Sequence, residues 1–239
     1  MEVKLVSVTK GIVDGEERTG EELVAYAARV SSPREDKFED YSTLLAYCIK
    51  HHHWSIFEQA SMTLEITTSR AIGTQILRHW SFRFQEFSQR YQAASMIEPI
   101  ELRLQAEKNR QSSTDLAATV HQDGREFIWN NLGESPLSND TVESVARALD
   151  QTMSVYEALL KEGVAKECAR MILPLATQTT IYMTGNIRSW LSFLNVRLDE
   201  HAQLEAQNLA NAAAKYFAEV FPETAKATNY FNSYKGKFM

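Results

Sequence analysis

The stretch that decides the interpretation of this chain lies at residues 78–90 and reads RHWSFRFQEFSQR. Three arginines, Arg78, Arg83 and Arg90, fall within it, directly after an apolar run over residues 71–77. Guanidinium groups bind phosphate oxygens through paired, charge-assisted hydrogen bonds, so this density suits a phosphorylated ligand. Glu86 and Ser88 add acceptors and donors for a polar, non-phosphate part of such a ligand. From composition alone, a solvated basic face remains the alternative.

The rest of the chain sets this basic cluster in an acidic protein. Its 239 residues carry a net charge of −6, with 44% hydrophobic and 23% charged residues, which is ordinary for a globular protein. The acidic balance argues against general nucleic-acid or membrane-surface binding and favours capture of a small anion. The chain shows neither a signal-peptide pattern nor an apolar run long enough to span a bilayer, so we expect a cytoplasmic location.

Periodicity predicts helices packed around a mostly antiparallel sheet, an α+β fold in a single domain over residues 1–239. Thr19 and Glu22 form a predicted capping box, and Asp140 and Glu143 form a second capping pair before a long helix that Gly163 ends. We read residues 106–139 as a variable connection with short helical pieces. Strands are predicted over 3–8, 62–67 and 97–104, and further helices over 42–49, 69–79, 165–172, 186–197 and 200–221.

Histidines and cysteines offer two other candidate sites. His51, His52 and His53 are consecutive, so on a helix they point in different directions, and we favour exposed helix-end histidines over a metal site. The sequence contains only Cys48 and Cys168, both among apolar neighbours. We therefore expect two small core residues and no cysteine nucleophile.

The 78–90 stretch also resembles a family signature. Arg78 and His79, followed by Ser88, Arg90 and Tyr91, are similar to the Arg-His-Arg, seven residues, Ser pattern of the flavin-dependent thymidylate synthases. Two further blocks resemble the same family in the same order. The earlier one is His53-x-Ser-x-x-Glu58, and the later one runs from Asn186-x-Arg-Ser to Leu-x-x-Arg-x-x-x-His-Ala-Gln-x-Glu205. With Ala27–Ser31 near the start, the resemblance covers most of the chain.

The resemblance implies a reaction and a set of residues. It implies reductive methylation of dUMP to dTMP, with methylenetetrahydrofolate as carbon donor and NADPH reducing FAD, in a homotetramer whose sites lie between subunits. Arg197 is the implied catalytic residue, since its cation would stabilise negative charge on the uracil ring. The implied dUMP-binding residues are Gln75, Ile76, Leu77, Arg78, Glu86, Phe87, Ser88, Gln89, Arg90, Arg170 and Arg197. The implied FAD-binding residues are Ser55, Arg78, His79, Trp80, Glu86, Asn186, Ile187, Arg188 and Ser192.

Two positions depart from the family pattern. Trp80 stands in place of an arginine, which removes a cation and offers a stacking surface, and Arg83 is a candidate to restore the charge. Ser192 stands where the family often has asparagine. These departures leave open a flavin- or nucleotide-dependent oxidoreductase that lacks methyl transfer. The basic cluster also leaves open a non-enzymatic RNA- or nucleotide-binding module, which the acidic balance disfavours.

Overall fold

The computed structural model describes residues 1–31, 38, 40–94, 96–108, 112–124, 126–132 and 136–228. Within these ranges it contains both helices and strands without regular alternation, and the predicted α+β fold is confirmed. The strands are β1 (Glu2–Val8), β2 (Gly11–Val13), β3 (Glu16–Arg18), β4 (Ser61–Ser69), β5 (Arg83–Glu86), β6 (Ile100–Gln105), β7 (Ser113–Asp123), β8 (Glu126–Asn131) and β9 (Gln178–Asn186). The helices are α1 (Gly20–Ala28), α2 (Tyr41–Lys50), α3 (Arg70–Ile76), α4 (Asn139–Lys161), α5 (Lys166–Ala169), α6 (Ile187–Arg197), α7 (Leu204–Val220) and α8 (Pro222–Ala227), with 3₁₀ turns at Trp54–Glu58 and Arg170–Ile172.

These elements form three sheets and two compact units. One sheet has the strand order β1-β4-β9-β5, β2 pairs with β3, and the third has the order β6-β7-β8. The ladders β2–β3, β6–β7 and β7–β8 are antiparallel. The first unit comprises Met1–Glu2, Thr67–Arg78 and Glu86–Ile181, and the second comprises Val3–Ile66, His79–Gln85 and Tyr182–Met239. A single domain therefore stays a prediction.

In the first unit, helix α4 packs on the β6-β7-β8 sheet. Val142, Ala146 and Leu149 of the helix are buried against Ala118 and Val120 of β7. The prediction of short helical pieces within 106–139 is wrong, because the described part of this region forms strands β7 and β8. Most of β7 faces solvent with polar residues, and only a short run near its middle is buried. The sequence therefore shows little of the apolar alternation that identifies a strand.

The start of α4 differs from its prediction, whereas its end agrees. Ser138, not Asp140, is the N-cap, and its side chain accepts the Thr141 N–H at 3.2 Å. The helix ends where Gly163 adopts a positive φ of 87°, a conformation that glycine adopts without steric cost.

In the second unit, aromatic side chains fill the space between β9, α6 and the segment after His79. Trp190 is fully buried and donates its indole N–H to the Met62 carbonyl at 3.2 Å. The Phe82 ring meets Trp190 and Phe193 edge-on, with centroids 4.8 and 6.0 Å apart. Gly185 permits this packing, because a Cβ there would lie 2.4 Å from the Phe82 ring. The predicted Thr19–Glu22 capping box is confirmed at the start of α1.

Several helices are shorter than predicted or are divided. Helix α3 stops at Ile76, since the chain turns at 79–82 and buries Phe82. The region predicted as one helix over 165–172 is α5 followed by a 3₁₀ turn. Helix α7 begins only at Leu204.

The cysteine prediction is half right. Cys48 is buried on α2, but Cys168 is exposed, because the very short α5 buries Ala169 and not its neighbour. Among the described residues, none of the helices combines the length and apolarity that crossing a bilayer requires.

Candidate active site

Most of the predicted dUMP-binding residues lie in the first unit, on two segments. Gln75 and Ile76 end α3, Leu77 caps it, and Arg78 follows in an exposed position. The second segment, from Glu86 to Arg90, leaves the end of β5. Ile76 is 3% exposed, so any contact with a ligand would come from its main chain.

Glu86 is held in place by two partners on neighbouring elements. Its Oε1 accepts a hydrogen bond from Arg70 Nη1 at 3.2 Å and from Thr179 Oγ1 at 2.9 Å. A carboxylate fixed by two donors has a defined orientation, which a ligand-binding side chain requires. Sequence reasoning missed both partners, because Arg70 was predicted only as part of a helix and Thr179 lies outside every predicted element.

The turn after Phe87 is tied to α5. Arg90 Nε lies 3.2 Å from Glu167 Oε2, and Lys166 Nζ donates to the Tyr91 carbonyl at 3.0 Å. Arg170 follows Glu167 by three residues, at the start of the 3₁₀ turn. The turn and the segment that carries Arg170 are therefore joined within the first unit.

In this turn, Gln89 has a buried side-chain amide whose hydrogen bonding is incomplete. Its side chain is 4% exposed, and its Nε2 has no hydrogen-bond partner among the described residues. A buried donor without an acceptor costs about 1–3 kcal/mol. An oxygen-rich ligand such as a nucleotide would supply that acceptor, so the residue fits its predicted place in the dUMP-binding set.

In the second unit, Arg197 and His79 form a pair. Arg197 Nε donates to His79 Nε2 at 3.1 Å, and the imidazole packs edge-on against Phe193 with centroids 5.0 Å apart. Burial, and then the nearby Arg197 charge, lower the pKa of His79 from 6.5 to about 4. The imidazole is therefore neutral near pH 7 and accepts at Nε2, which places its proton on Nδ1.

The loop after His79 is anchored to α6. Ser189 Oγ donates to the Ser81 carbonyl at 3.1 Å. Arg83 Nη1 donates to the carbonyls of Phe82 at 3.0 Å and Trp80 at 3.3 Å. Trp80 itself is 91% exposed, and its carbonyl contact with Arg83 places a cation beside this position.

A cavity of about 990 Å³ lies between the end of α2 and one face of α6, within the second unit. Arg188, Ser192 and Asn195 recur at helical spacing along α6 and all line it. The complete lining is Ala46, Ile49, Lys50, His52, Trp54, Arg188, Leu191, Ser192, Asn195, Ala227 and Thr228.

The predicted residues around this cavity have different roles. Arg188 Nη1 pairs with Glu58 Oε1 at 2.5 Å, which joins two of the sequence blocks that resemble the family. The Asn186 amide oxygen caps α6 by accepting the Ser189 N–H at 2.8 Å. Ile187 is fully buried, and Ser55 is exposed in the 3₁₀ turn.

Comparisons with known proteins support the family resemblance that the sequence motifs indicated. A family model described as "Thymidylate synthase complementing protein" matches residues 13–223. A probable flavin-dependent thymidylate synthase of Paramecium bursaria Chlorella virus 1 is 48% identical over 234 residues, which cover 96% of this chain and 100% of that protein. This chain belongs to the flavin-dependent thymidylate synthase family.

A second curated relative and a solved structure are similar to this chain over nearly the same extent. The flavin-dependent thymidylate synthase of Synechocystis sp. is 45% identical over 232 residues, which are 96% of this chain and 100% of that one. A UMP/dUMP methylase from Streptomyces cacaoi, solved bound with 5-Br dUMP, matches with a TM-score of 0.73 and 25% identity. That match covers 96% of this chain and 95% of the methylase.

The α2–α6 cavity fits the flavin that this family is named for. Its volume lies within the range of small-molecule pockets, and Trp54 and Leu191 offer surfaces for a planar ring. Lys50 and Arg188 carry positive charge, and none of the residues that line the cavity is acidic in the described part of the chain. Arg188 and Ser192 were predicted from sequence to bind FAD. Lys50, His52, Trp54 and Asn195 line the same cavity but were not among the predicted residues, although the helical spacing from Arg188 could have identified Asn195.

Proposed function

We propose that this protein converts dUMP to dTMP by reductive methylation, with methylenetetrahydrofolate as the carbon donor, FAD as the bound cofactor and NADPH as the reductant. The similarity to flavin-dependent thymidylate synthases along nearly the whole chain carries this proposal. The named substrate of the Streptomyces methylase adds support for dUMP. Bound FAD would supply the hydride chemistry, and the side chains of this protein would provide binding, orientation and charge.

The first unit would hold the nucleotide. Arg78, Arg90 and Arg170 would bind its phosphate, since planar guanidinium groups match phosphate oxygens bidentately. Glu86 would accept hydrogen bonds from the ligand in the orientation that Arg70 and Thr179 impose. Gln89 would donate to a ligand oxygen and so satisfy its buried amide.

Arg197 would act on the pyrimidine ring. A cation beside the uracil oxygen stabilises negative charge that develops as the ring carbon becomes nucleophilic. The neutral His79 accepts a hydrogen bond from Arg197 and so orients the guanidinium without placing a second charge beside it.

The cysteines support a reaction without an enzyme thiolate. Burial raises the pKa of the Cys48 thiol, which disfavours the nucleophilic form. Cys168 is exposed on α5 and has no assigned role in the proposed site.

An oxidoreductase that has lost methyl transfer is the second candidate, and the replacement of an arginine by Trp80 favours it. With Trp80 almost fully exposed, its position lacks the predicted cation, although Arg83 lies next to it. Such a protein would bind flavin and oxidise NADPH without making dTMP.

The test is a reconstitution with the full chain. Purified protein would be titrated with FAD, and the flavin absorption spectrum would be followed on addition of dUMP. We expect a yellow complex whose spectrum dUMP perturbs, and dTMP formation when methylenetetrahydrofolate and NADPH are added. NADPH oxidation without dTMP would favour the second candidate, and absence of flavin binding would contradict both.

A further inference from the structure

His52 has a backbone conformation that normally belongs to glycine. It follows α2 with φ of 59°, in the left-handed region. The His53 N–H bonds the Cys48 carbonyl at 2.8 Å, and the His52 N–H bonds the Ile49 carbonyl at 3.2 Å. This pair of bonds closes a helix C-terminus around a residue in the left-handed conformation, a position where glycine is strongly preferred.

A histidine here is therefore less favourable for the stability of the fold than a glycine. A Cβ in the left-handed region approaches the following carbonyl oxygen, and glycine avoids this contact. The ring is also exposed to solvent, so burial of the imidazole does not compensate for the strain. Residues that retain such strain concentrate at functional sites.

The imidazole lines the α2–α6 cavity. Its ring lies 5.8 Å from the Trp54 ring, which lines the same cavity. Lys50 on the same side and Arg188 on α6, which Glu58 pairs from outside the lining, are the charged residues of the lining, although the whole chain carries a net charge of −6. A side chain with an N–H donor at this point suits an anionic group of a bound ligand.

We propose that His52 is a flavin-binding residue, whose imidazole donates a hydrogen bond to the phosphate-bearing part of the dinucleotide in the α2–α6 cavity. This inference depends on the proposed function, because it takes FAD as the ligand. In this proposal, His52 increases the affinity for FAD, although its backbone conformation lowers the stability of the fold.

The first experiment compares His52→Gly with the wild-type protein. We expect the melting temperature of the flavin-free protein to rise by about 2–4 °C, because the strain is relieved. We expect the Kd for FAD, measured by quenching of flavin fluorescence, to increase about tenfold, because a hydrogen bond to a charged group is lost. A merely structural residue would change stability and affinity in the same direction.

A matched control exists in the β2–β3 turn. Asp14 also has a positive φ, 54°, and is exposed. Asp14→Gly should change the melting temperature less than His52→Gly, because aspartate tolerates the left-handed conformation, and should leave the Kd for FAD unchanged. An equal loss of affinity in both variants would overturn the assignment to His52.

A second pair of variants tests the electrostatic part of the proposal. Asn and Asp both tolerate the left-handed conformation and have the same shape, but only Asp carries a negative charge. We expect His52→Asp to bind FAD several-fold more weakly than His52→Asn. Equal affinities would overturn the contact with phosphate.

The result for the wild-type protein separates the two proposals. If the wild-type protein does not bind FAD, the proposed function fails. If it binds FAD and His52→Gly binds equally well, the proposed function stands and the role of His52 is wrong.

Discussion

The Arg197 guanidinium is fixed by the His79 imidazole, which is itself fixed by Phe193. A hydrogen bond at Nε leaves the two terminal nitrogens of the guanidinium pointing away from His79. An arginine whose rotamer is held in this way loses less entropy when it binds a substrate. The pair therefore has the features of a preorganised catalytic cation.

Replacement of Arg197 tests this role. Arg197→Ala should lower the rate of dTMP formation at least about 100-fold, since the charge that stabilises the reacting ring is removed. Its far-UV circular dichroism should match that of the wild-type protein. Arg147→Ala removes an exposed arginine from α4 and should leave the rate unchanged. An active Arg197→Ala enzyme would remove that residue from the mechanism.

The low pKa of His79 predicts how stability depends on pH. The unfolded imidazole takes up a proton near pH 6.5, whereas the folded one does so only near about 4. Between these values the unfolded state binds more protons, so stability falls as the pH falls. His79 is only half-buried, so solvent screening reduces the full effect of the shift. From pH 7 to 5, the free energy of unfolding of the wild-type protein should still fall by on the order of 1 kcal/mol more than that of His79→Gln.

Urea denaturation of both proteins at pH 7, 6 and 5 measures this difference. The remaining histidines are common to both proteins and cancel in the comparison. Parallel curves would show that His79 titrates equally in the folded and unfolded states.

At the scale of secondary structure, the start of α4 depends on one hydroxyl. Ser138 caps the helix, whereas Glu143 makes an exposed contact with Arg147 at 3.8 Å. Ser138→Ala should lower the free energy of unfolding by about 1 kcal/mol. Glu143→Ala should change it by less than about 0.5 kcal/mol. A larger loss for Glu143→Ala than for Ser138→Ala in chemical denaturation would favour the capping pair that the sequence predicted.

The contact between Gly185 of β9 and Phe82 is the tightest glycine packing among the described residues. Gly185→Ala should destabilise the protein by about 1–3 kcal/mol, because the Phe82 ring is packed among Trp190 and Phe193 and has little room to move. Gly73→Ala is the matched comparison, since its Cβ would meet only side-chain ends at 3.2 Å. Thermal unfolding should show a clearly larger loss for Gly185→Ala, and equal losses would contradict the packing argument.

At the scale of the whole molecule, the two residue sets fall mainly into different units. The predicted dUMP-binding set lies in the first unit except for Arg197, and the predicted FAD-binding set lies in the second except for Arg78 and Glu86. The homotetramer implied by the family remains a prediction. Light scattering coupled to size exclusion should give four times the 27.2 kDa chain mass, and a monomeric mass for an active enzyme would contradict it.

The features that the sequence predicted correctly depend on residues that are close together in the chain. The Thr19–Glu22 box, the end of α4 at Gly163 and the α6 span depend on residues close in sequence, and their prediction succeeded. Strand β7 was missed because only a short run of it is buried, so its pattern carries little alternation. Cys168 was misplaced because a four-residue helix gives too little periodicity to assign a face.

By itself, the sequence determined the fold class, the family and the side chains available for chemistry, since these depend on composition, periodicity and motif order. Only the tertiary structure decided which side chains meet. Three hydrogen bonds, from Arg70 and Thr179 to Glu86 and from Arg197 to His79, join residues 16 to 118 positions apart. The α2–α6 cavity likewise brings distant segments together, and the place of His52 in it depends on a backbone angle. Such contacts arise from packing of distant segments, and no local pattern in the chain encodes them.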